Sequence, residues 1–464
     1  MLPTRRLVSG PCGTREMVCA TTPFCRREMR DMSSWRPRVV LVVALALASS
    51  GCVGQSESGT EQNPGEVRIG LIAAMAGANK LAGVEAERGA QLAADVVNEP
   101  NSLIPLPLAN DSGLTNLGNA RIRIVTRDVG PDPKEAGRKA ATAVASMASS
   151  QGVAAVVGGY DADVTVWGSQ RAERIPVPFV NADSSANFLT ERGLDWFFRL
   201  GPSDRGSGEA FYSLLKQADR SGQGPRVAII HATDKAGNDV ANVIGELAEE
   251  GRYTVVTKES FPPDAKDLTP AVAKVQAAHP DVVFVAPTPD TVPVLVRAFA
   301  QRQYRPKAVM AYGSGVLDAS VLRKGGPVVN GICREVSWSR ELAVRHDAAR
   351  AVADLYQRKH NSQMTEEAAS TFTAVLTVAM AINEARSTDA KRVRSELLSL
   401  DIPGKDTIMP WAGIRFDETH QNSAATTVVE QYVNQSFRVV FPVDAVAKND
   451  SFVYPMPPAA GTGS

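Results

Sequence analysis

Short β-branched runs alternate with longer segments of helical periodicity along this chain, and the whole alternation runs through twice. That pattern belongs to parallel sheets covered by helices on both faces, because a parallel crossover needs a helix-length connection and buries its strands on both sides. The first series of strands is expected at Val67–Ile72, Arg121–Val125, Val153–Val157 and Val177–Val180. Between the first two, Gly83 to Asn98 places Val84, Ala90, Leu92, Ala93 and Val96 near one helical face, an amphipathic crossover helix. After Gly201-Pro-Ser-Asp204 the second series is expected at Val227–Ile230, Tyr253–Val256, Asp281–Val285 and Lys307–Met310, with helices near 237–250, 268–278 and 290–302. The fold class is therefore α/β, with two doubly wound lobes and a cleft at the carboxyl ends of their strands, where open α/β sheets take ligands. A helical region follows at 345–400; Gly413–Phe416, Thr427–Val433 and Phe437–Phe441 read as late strands returning to the lobes, and Ser451–Ser464 as a loose tail.

Ahead of this body, Val39 to Ala48 is an apolar run behind Arg36 and Arg38 that ends in Ser-Ser-Gly51-Cys52. At roughly ten residues it is too short to cross a hydrocarbon core, which takes about 20 helical residues, so it reads as a cleavable export segment. It resembles a bacterial lipoprotein signal, which implies a lipid anchor on Cys52; Ser49 stands where that signal usually carries Leu, and plain cleavage with release is the alternative. Residues 1–51 are then leader, with Met29 or Met32 the expected start, and residues 52–65, rich in Ser, Glu, Gln and Gly, a flexible tether. Cys12, Cys19 and Cys25 fall in the leader and match neither a zinc site nor a disulfide framework, and Cys333 reads as a small buried hydrophobe.

The 464 residues less the 51 of the leader leave 413, enough for two domains. Removing the leader's eight basic and three acidic residues from 50 of each leaves 42 Lys and Arg against 47 Asp and Glu, a formal net charge of −5. Such a surface offers no electrostatic footprint for nucleic acid. Catalytic patterns are also missing. His231, His279, His346, His360 and His420 are scattered with no pair one helical turn apart, Gly404-Lys405 lacks the upstream glycine of a phosphate loop, and Gly313-Ser314-Gly315 lacks the Gly-x-Ser-x-Gly spacing. Gly158-Gly159 lacks the third glycine of a dinucleotide fingerprint. The reading is of a non-enzyme with no cofactor and no metal site.

Several segments taken in order resemble the leucine/isoleucine/valine-type periplasmic binding proteins of ABC transporters. They are Val67–Ile72 followed by Arg88–Ala93, Val156-Val-Gly-Gly-Tyr160, Ile175–Ala182 followed by Leu189-Thr190, Phe198–Asp204, and Ile414–Glu418 with Gln421-Asn422. The resemblance covers about residues 66–445. It implies a type I periplasmic binding protein: two Rossmann-like lobes joined by a three-crossover hinge. The first lobe would hold 66–202 and 338–425 and the second 206–334 and 426–445, with 446–464 a C-terminal tail. Function would be capture of a small polar solute by hinge closure for an ABC permease, outside the cytoplasm and held to the membrane through Cys52. A ligand-sensing receptor of the same fold, acting on a membrane or regulatory partner, is the alternative.

The resemblance also implies a ligand site, and here the chain departs from the pattern. Members that bind α-amino acids hold the carboxylate with hydroxyls and backbone N–H groups of two first-lobe loops. On the first, Tyr160-Asp161-Ala162, the usual serine falls on Ala162; on the second, Asp183-Ser184-Ser185, Ser185 matches the usual hydroxyl while Asp183 replaces a small residue. In the second lobe the closing tyrosine falls on Ala236 and the ammonium-binding glutamate on Ser314. Losing one partner of a buried charge pair costs about 3–5 kcal/mol against roughly 8 kcal/mol for a whole micromolar complex, so a standard aliphatic amino acid is not the expected ligand. An amide, amine or polyol fits better, with Asp183, or less directly Glu367, taking over an ammonium. Asp161 and Asp183 equally suit helix caps or turns. Trp167 is expected in the core, Trp338 in packing at a crossover, and Lys235 in solvent.

Overall fold

Strand β1, Glu66–Ala73, buries six of its eight residues and is an inner strand of a five-stranded parallel sheet. The computed structural model describes residues 65–457 apart from 78, 220–223, 314–318 and 449. Cys52, the leader, Ser314 and the last residues of the tail therefore lie outside the described residues. Helix α1 (Lys80–Asn98) leads to β2 (Arg121–Asp128), α2 (Pro133–Ser150) to β3 (Ala155–Gly158), and α3 (Ala162–Arg174) to β4 (Phe179–Asn181) and β5 (Phe197–Arg199). The sheet order is β2-β1-β3-β4-β5. Successive strand residues face opposite ways: Val157 enters a core with Leu92, Val96 and Phe372, while Val156 enters one with Val144, Met147 and Phe179.

The chain then crosses to a second sheet. Helix α4 (Asp204–Ala218) precedes β6 (Arg226–Ala232), α5 (Lys235–Glu250), β7 (Thr254–Phe261), α6 (Thr269–Ala277), β8 (Val282–Ala286), α7 (Val292–Arg302), β9 (Ala308–Ala311), α8 (Ala319–Arg323) and β10 (Cys333–Val336). From β10 it returns to the first lobe as α9 (Arg340–Ala343), α10 (Asp347–His360), α11 (Glu366–Ala385) and α12 (Ala390–Ser399), then the two-residue strands β11 (Ile402–Pro403) and β12 (Gly413–Ile414). A third crossing reaches β13 (Val428–Val433) and β14 (Ser436–Phe441), which complete the order β14-β13-β10-β9-β8-β6-β7. Both β13 and β14 are antiparallel additions to an otherwise parallel sheet.

Helix α11 is apolar and long enough to span a membrane, yet 83% of its apolar window is buried. It is the core helix of the first lobe. Its approach to α1 requires Gly89, where a Cβ would stand 2.1 Å from the Ala368 carbonyl oxygen.

Three expectations need correction. Gly413–Ile414 pairs with β11 in a separate two-stranded ladder and joins neither large sheet, and Pro403, with no N–H to donate, keeps that ladder short. The segment read as a loose tail is docked as far as Pro457. Gln431 exchanges two hydrogen bonds with Val453, the Met456 N–H donates to the Lys307 carbonyl at 2.7 Å, and the Met456 side chain is buried. Trp167 is 48% exposed: it lies on Gly137 of α2, whose missing side chain lets the ring rest on the surface between helices. Cys333 is fully buried, as expected of a small hydrophobe.

At the crossings, Phe197–Gly201 runs beside Phe416–Asn422. Arg199 N–H donates to the His420 carbonyl and Asn422 N–H to the Arg199 carbonyl, both at 2.9 Å, and His420 stacks on Phe198. The Arg199 side chain is 2% exposed and donates to Gln421, Thr190 and the Ser185 and Ala186 carbonyls.

Candidate ligand-binding cleft

Gly158 and Gly159 end β3 at φ values of 129° and 88°, backbone that L side chains rarely adopt. The turn they make sends Tyr160 and Asp161 out at the carboxyl end of the first sheet. Asp161 caps α3, accepting from the Asp163 and Val164 N–H groups at 2.8 and 3.3 Å. It also lines a narrow chamber of about 60 Å³ with Tyr160, Asp183 and Thr371, so the cap and the cavity wall are one residue. Most of the other walls are small and apolar, among them Ala73, Ala82 and Ala86, and no basic side chain among the described residues lines the chamber. Burial lifts the Asp161 carboxyl above its ordinary range, opposed by the two N–H groups it caps. Asp183 is raised further, by burial first and then by the neighbouring charges of Glu367 and Glu366, against a hydrogen bond from Ser370.

A wider cavity of about 550 Å³ adjoins this chamber through Tyr160 and reaches the second lobe. Glu366 and Glu367 line it from α11, Trp338 from the crossing after β10, and Arg334, Glu430 and Phe437 from the second sheet. Its two arginines are engaged: Arg334 pairs with Glu430 at 2.8 Å and lies over the Phe437 ring, and Arg340 pairs with Asp354 at 2.8 Å. Trp338 is buried and donates to the Ile408 carbonyl at 3.1 Å, a packing role beside the cavity. Glu367 is raised by burial, and Glu366 accepts from the Ser337 N–H where β10 crosses back to the first lobe.

Tyr160, Asp161 and Asp183 are thus brought together, with Ala162 beginning α3 behind them. Ser184 is buried. Ser185 turns to the hinge, where its hydroxyl bonds the buried Asp204 carboxylate and its carbonyl accepts from the Asp204 N–H at 2.9 Å. Ala236 lies in the first turn of α5, between two contacts that cross to the first lobe. Lys235 is not merely solvated: its Nζ sits 3.8 Å from the Phe188 ring centre, while Asp239 accepts from the Asn187 N–H at 2.7 Å.

Two groups escaped sequence reasoning. Thr371 sits inside an unremarkable helical run. Glu335, at the carboxyl end of β10, accepts from the Gly313 N–H at 2.9 Å through Oε1, while its buried Oε2 has no hydrogen-bond partner. Burial, reinforced by the charge of Glu366, pushes Glu335 up to about 8. An acid standing one residue before the end of a buried strand was the available signal.

Two doubly wound lobes joined by three chain crossings, with a polar cleft at the carboxyl ends of their strands, are the architecture of a type I periplasmic binding protein. The comparisons agree. The family model described as periplasmic binding protein matches residues 66–435, so the chain belongs to that family. Leu/Ile/Val-binding protein homolog 8 of Brucella abortus is 22% identical over 390 residues, covering 82% of this chain and 91% of the relative. Homolog 7 of the same species is 21% identical over 404 residues, covering 85% and 96%. Among solved structures, the branched-chain amino acid transporter substrate-binding protein LivJ of Streptococcus pneumoniae, in complex with isoleucine, superposes with a TM-score of 0.65 at 19% identity, covering 81% of this chain and all of that one. A solute-binding protein of an ABC transporter from Rhodopseudomonas palustris, in complex with 3,4-dihydroxybenzoic acid, gives 0.63 at 16% identity, covering 80% and 95%. The chain is accordingly an extracytoplasmic solute-binding protein of the ABC-transporter class and not an enzyme.

Proposed function

We propose that this protein captures a small cationic or donor-rich solute, an amine, amide or polyol, and delivers it to an ABC permease while tethered through lipid on Cys52. The observation that carries the reading is the chamber formed by Tyr160, Asp161, Asp183 and Thr371, which offers two half-buried carboxyls and, among the described residues, no basic side chain. A carboxylate entering it would meet like charge in a desolvated setting, where repulsion is strongest. An ammonium or N–H donor would relieve the burial that raises Asp161 and Asp183. Glu335, on the second lobe, adds an acid whose charge reaches Tyr160.

The test is a thermal-shift screen of residues 53–464 with metabolites sorted by charge. A ligand at about 1,000 times its Kd adds roughly 4 kcal/mol to the native state, several degrees in Tm. Shifts confined to cationic or neutral donor-rich compounds are expected, and Asp183→Asn should weaken the best of them. A shift from leucine, isoleucine or valine would overturn the ligand class.

A further inference from the structure

Three buried threonines of α11 have different fates. The Thr373 hydroxyl donates to the Ala369 carbonyl and the Thr377 hydroxyl to the Thr373 carbonyl, each at 2.8 Å, the usual way a helical threonine satisfies itself. Thr371, two residues before Thr373, is 1% exposed and its Oγ1 has no hydrogen-bond partner. It lines the same first-lobe chamber as Asp161 and Asp183. A buried polar atom without a partner is costly, and a hydroxyl that declines the carbonyl one turn back is held for something else.

We propose that Thr371 is a ligand-binding residue, its Oγ1 accepting a hydrogen bond from a primary ammonium whose short alkyl body fills the alanine-lined part of the chamber. The inference deepens the ligand class proposed above and rests on it. A hydroxyl oxygen offers two lone pairs and a carboxylate about four acceptor sites, so Thr371 with Asp183 beside it presents acceptors to the several N–H bonds of an ammonium. Ala73, Ala74, Ala82 and Ala86 leave room only for a small apolar group. No residue of the family pattern read from the sequence falls on Thr371.

Thr371→Val removes the hydroxyl and keeps the shape. The experiment measures Tm of the ligand-free protein for wild type, Thr371→Val and Thr373→Val, then titrates wild type and Thr371→Val calorimetrically with isobutylammonium and with isovalerate. Expected are an unchanged or higher Tm for Thr371→Val, a lower Tm for Thr373→Val, and about tenfold weaker isobutylammonium binding to Thr371→Val. If isobutylammonium binds wild type and Thr371→Val equally, or Thr371→Val loses as much Tm as Thr373→Val, the role of Thr371 is refuted while the ligand class stands. If isovalerate binds wild type and isobutylammonium does not, the ligand class itself fails, and this inference with it.

Discussion

Replacing Glu335 with glutamine should make the ligand-free protein more stable at alkaline pH and change little at acid pH. The native carboxyl is pushed up to about 8 by burial, against 4.5 for a solvated glutamate. Between those values the folded chain holds one proton more than the unfolded chain, so stability falls as pH rises through the window. At about 1.4 kcal/mol per pH unit the full shift amounts to on the order of 5 kcal/mol, and water reaching the cleft reduces it toward about 2 kcal/mol. The glutamine amide keeps an oxygen for the Gly313 N–H but carries no charge to desolvate. The charges of Glu366 and Asp204, which act on Glu335 in the same direction as burial, are common to both proteins. Asp161, Asp183, Asp204 and Glu367 are raised as well and give both proteins the same downward slope. Urea midpoints of wild type and Glu335→Gln at pH 5, 6.5 and 8 isolate the difference. The gap should be near zero at pH 5 and widest at pH 8; a gap independent of pH, or a variant less stable at pH 8, would refute the reasoning.

Arg199→Met should cost about 3–5 kcal/mol in urea unfolding, because it removes the charge that favours the buried Asp204 carboxylate and leaves the Ser185 and Ala186 carbonyls without their donor, whereas a loss under 1 kcal/mol would mean water replaces the guanidinium. Trp167→Ala should cost far less than Phe198→Ala, whose buried ring is worth roughly 3–5 kcal/mol; equal losses by thermal melting would contradict the half-exposed placement of Trp167. Asp239→Ala combined with Lys235→Met removes both contacts from α5 to Asn187 and Phe188 and should enlarge the ligand-free radius of gyration in small-angle scattering; superimposable curves would show that these contacts do not hold the lobes. Cys52→Ala in the full chain should move the protein from the detergent phase to the aqueous phase on cloud-point partition, and no change would remove the lipid from the proposal.

Strands such as Val67–Ile72 and Val282–Ala286 were legible because both faces of a parallel strand are buried, which leaves an unbroken β-branched run. Helix α5 was legible from its periodicity. Trp167 misled because helical spacing tells which face a residue shares but not what stands opposite, and opposite it is Gly137. The docked tail was illegible because Gln431 holds it by a side chain that mimics a strand partner, a contact 22 residues away with no local pattern. In the cleft, Asp161 and Asp183 could be read since acids following strands point to the carboxyl edge of a sheet. Thr371 could not, because its sequence neighbourhood is that of Thr373 and Thr377 and only the packing distinguishes the free hydroxyl from the two satisfied ones.

The hinge and the site share residues, which ties capture to lobe geometry. The loop that carries Asp183 into the chamber continues two residues later to Ser185, whose hydroxyl and carbonyl both bond Asp204 at the start of α4. Arg199 clasps the same loop through the Ser185 and Ala186 carbonyls and joins it to Gln421 on the third crossing. Burial pushes Asp204 up to about 6 and Arg199 down to about 10, so this junction holds two desolvated groups, Asp204 satisfied by Ser185 and Arg199 by Gln421 and the Ser185 and Ala186 carbonyls, only while loop and crossings keep their positions. On the proposed ligand site, a displacement of Asp183 would be felt two residues away at Ser185 and so at Asp204 and the crossings it bonds.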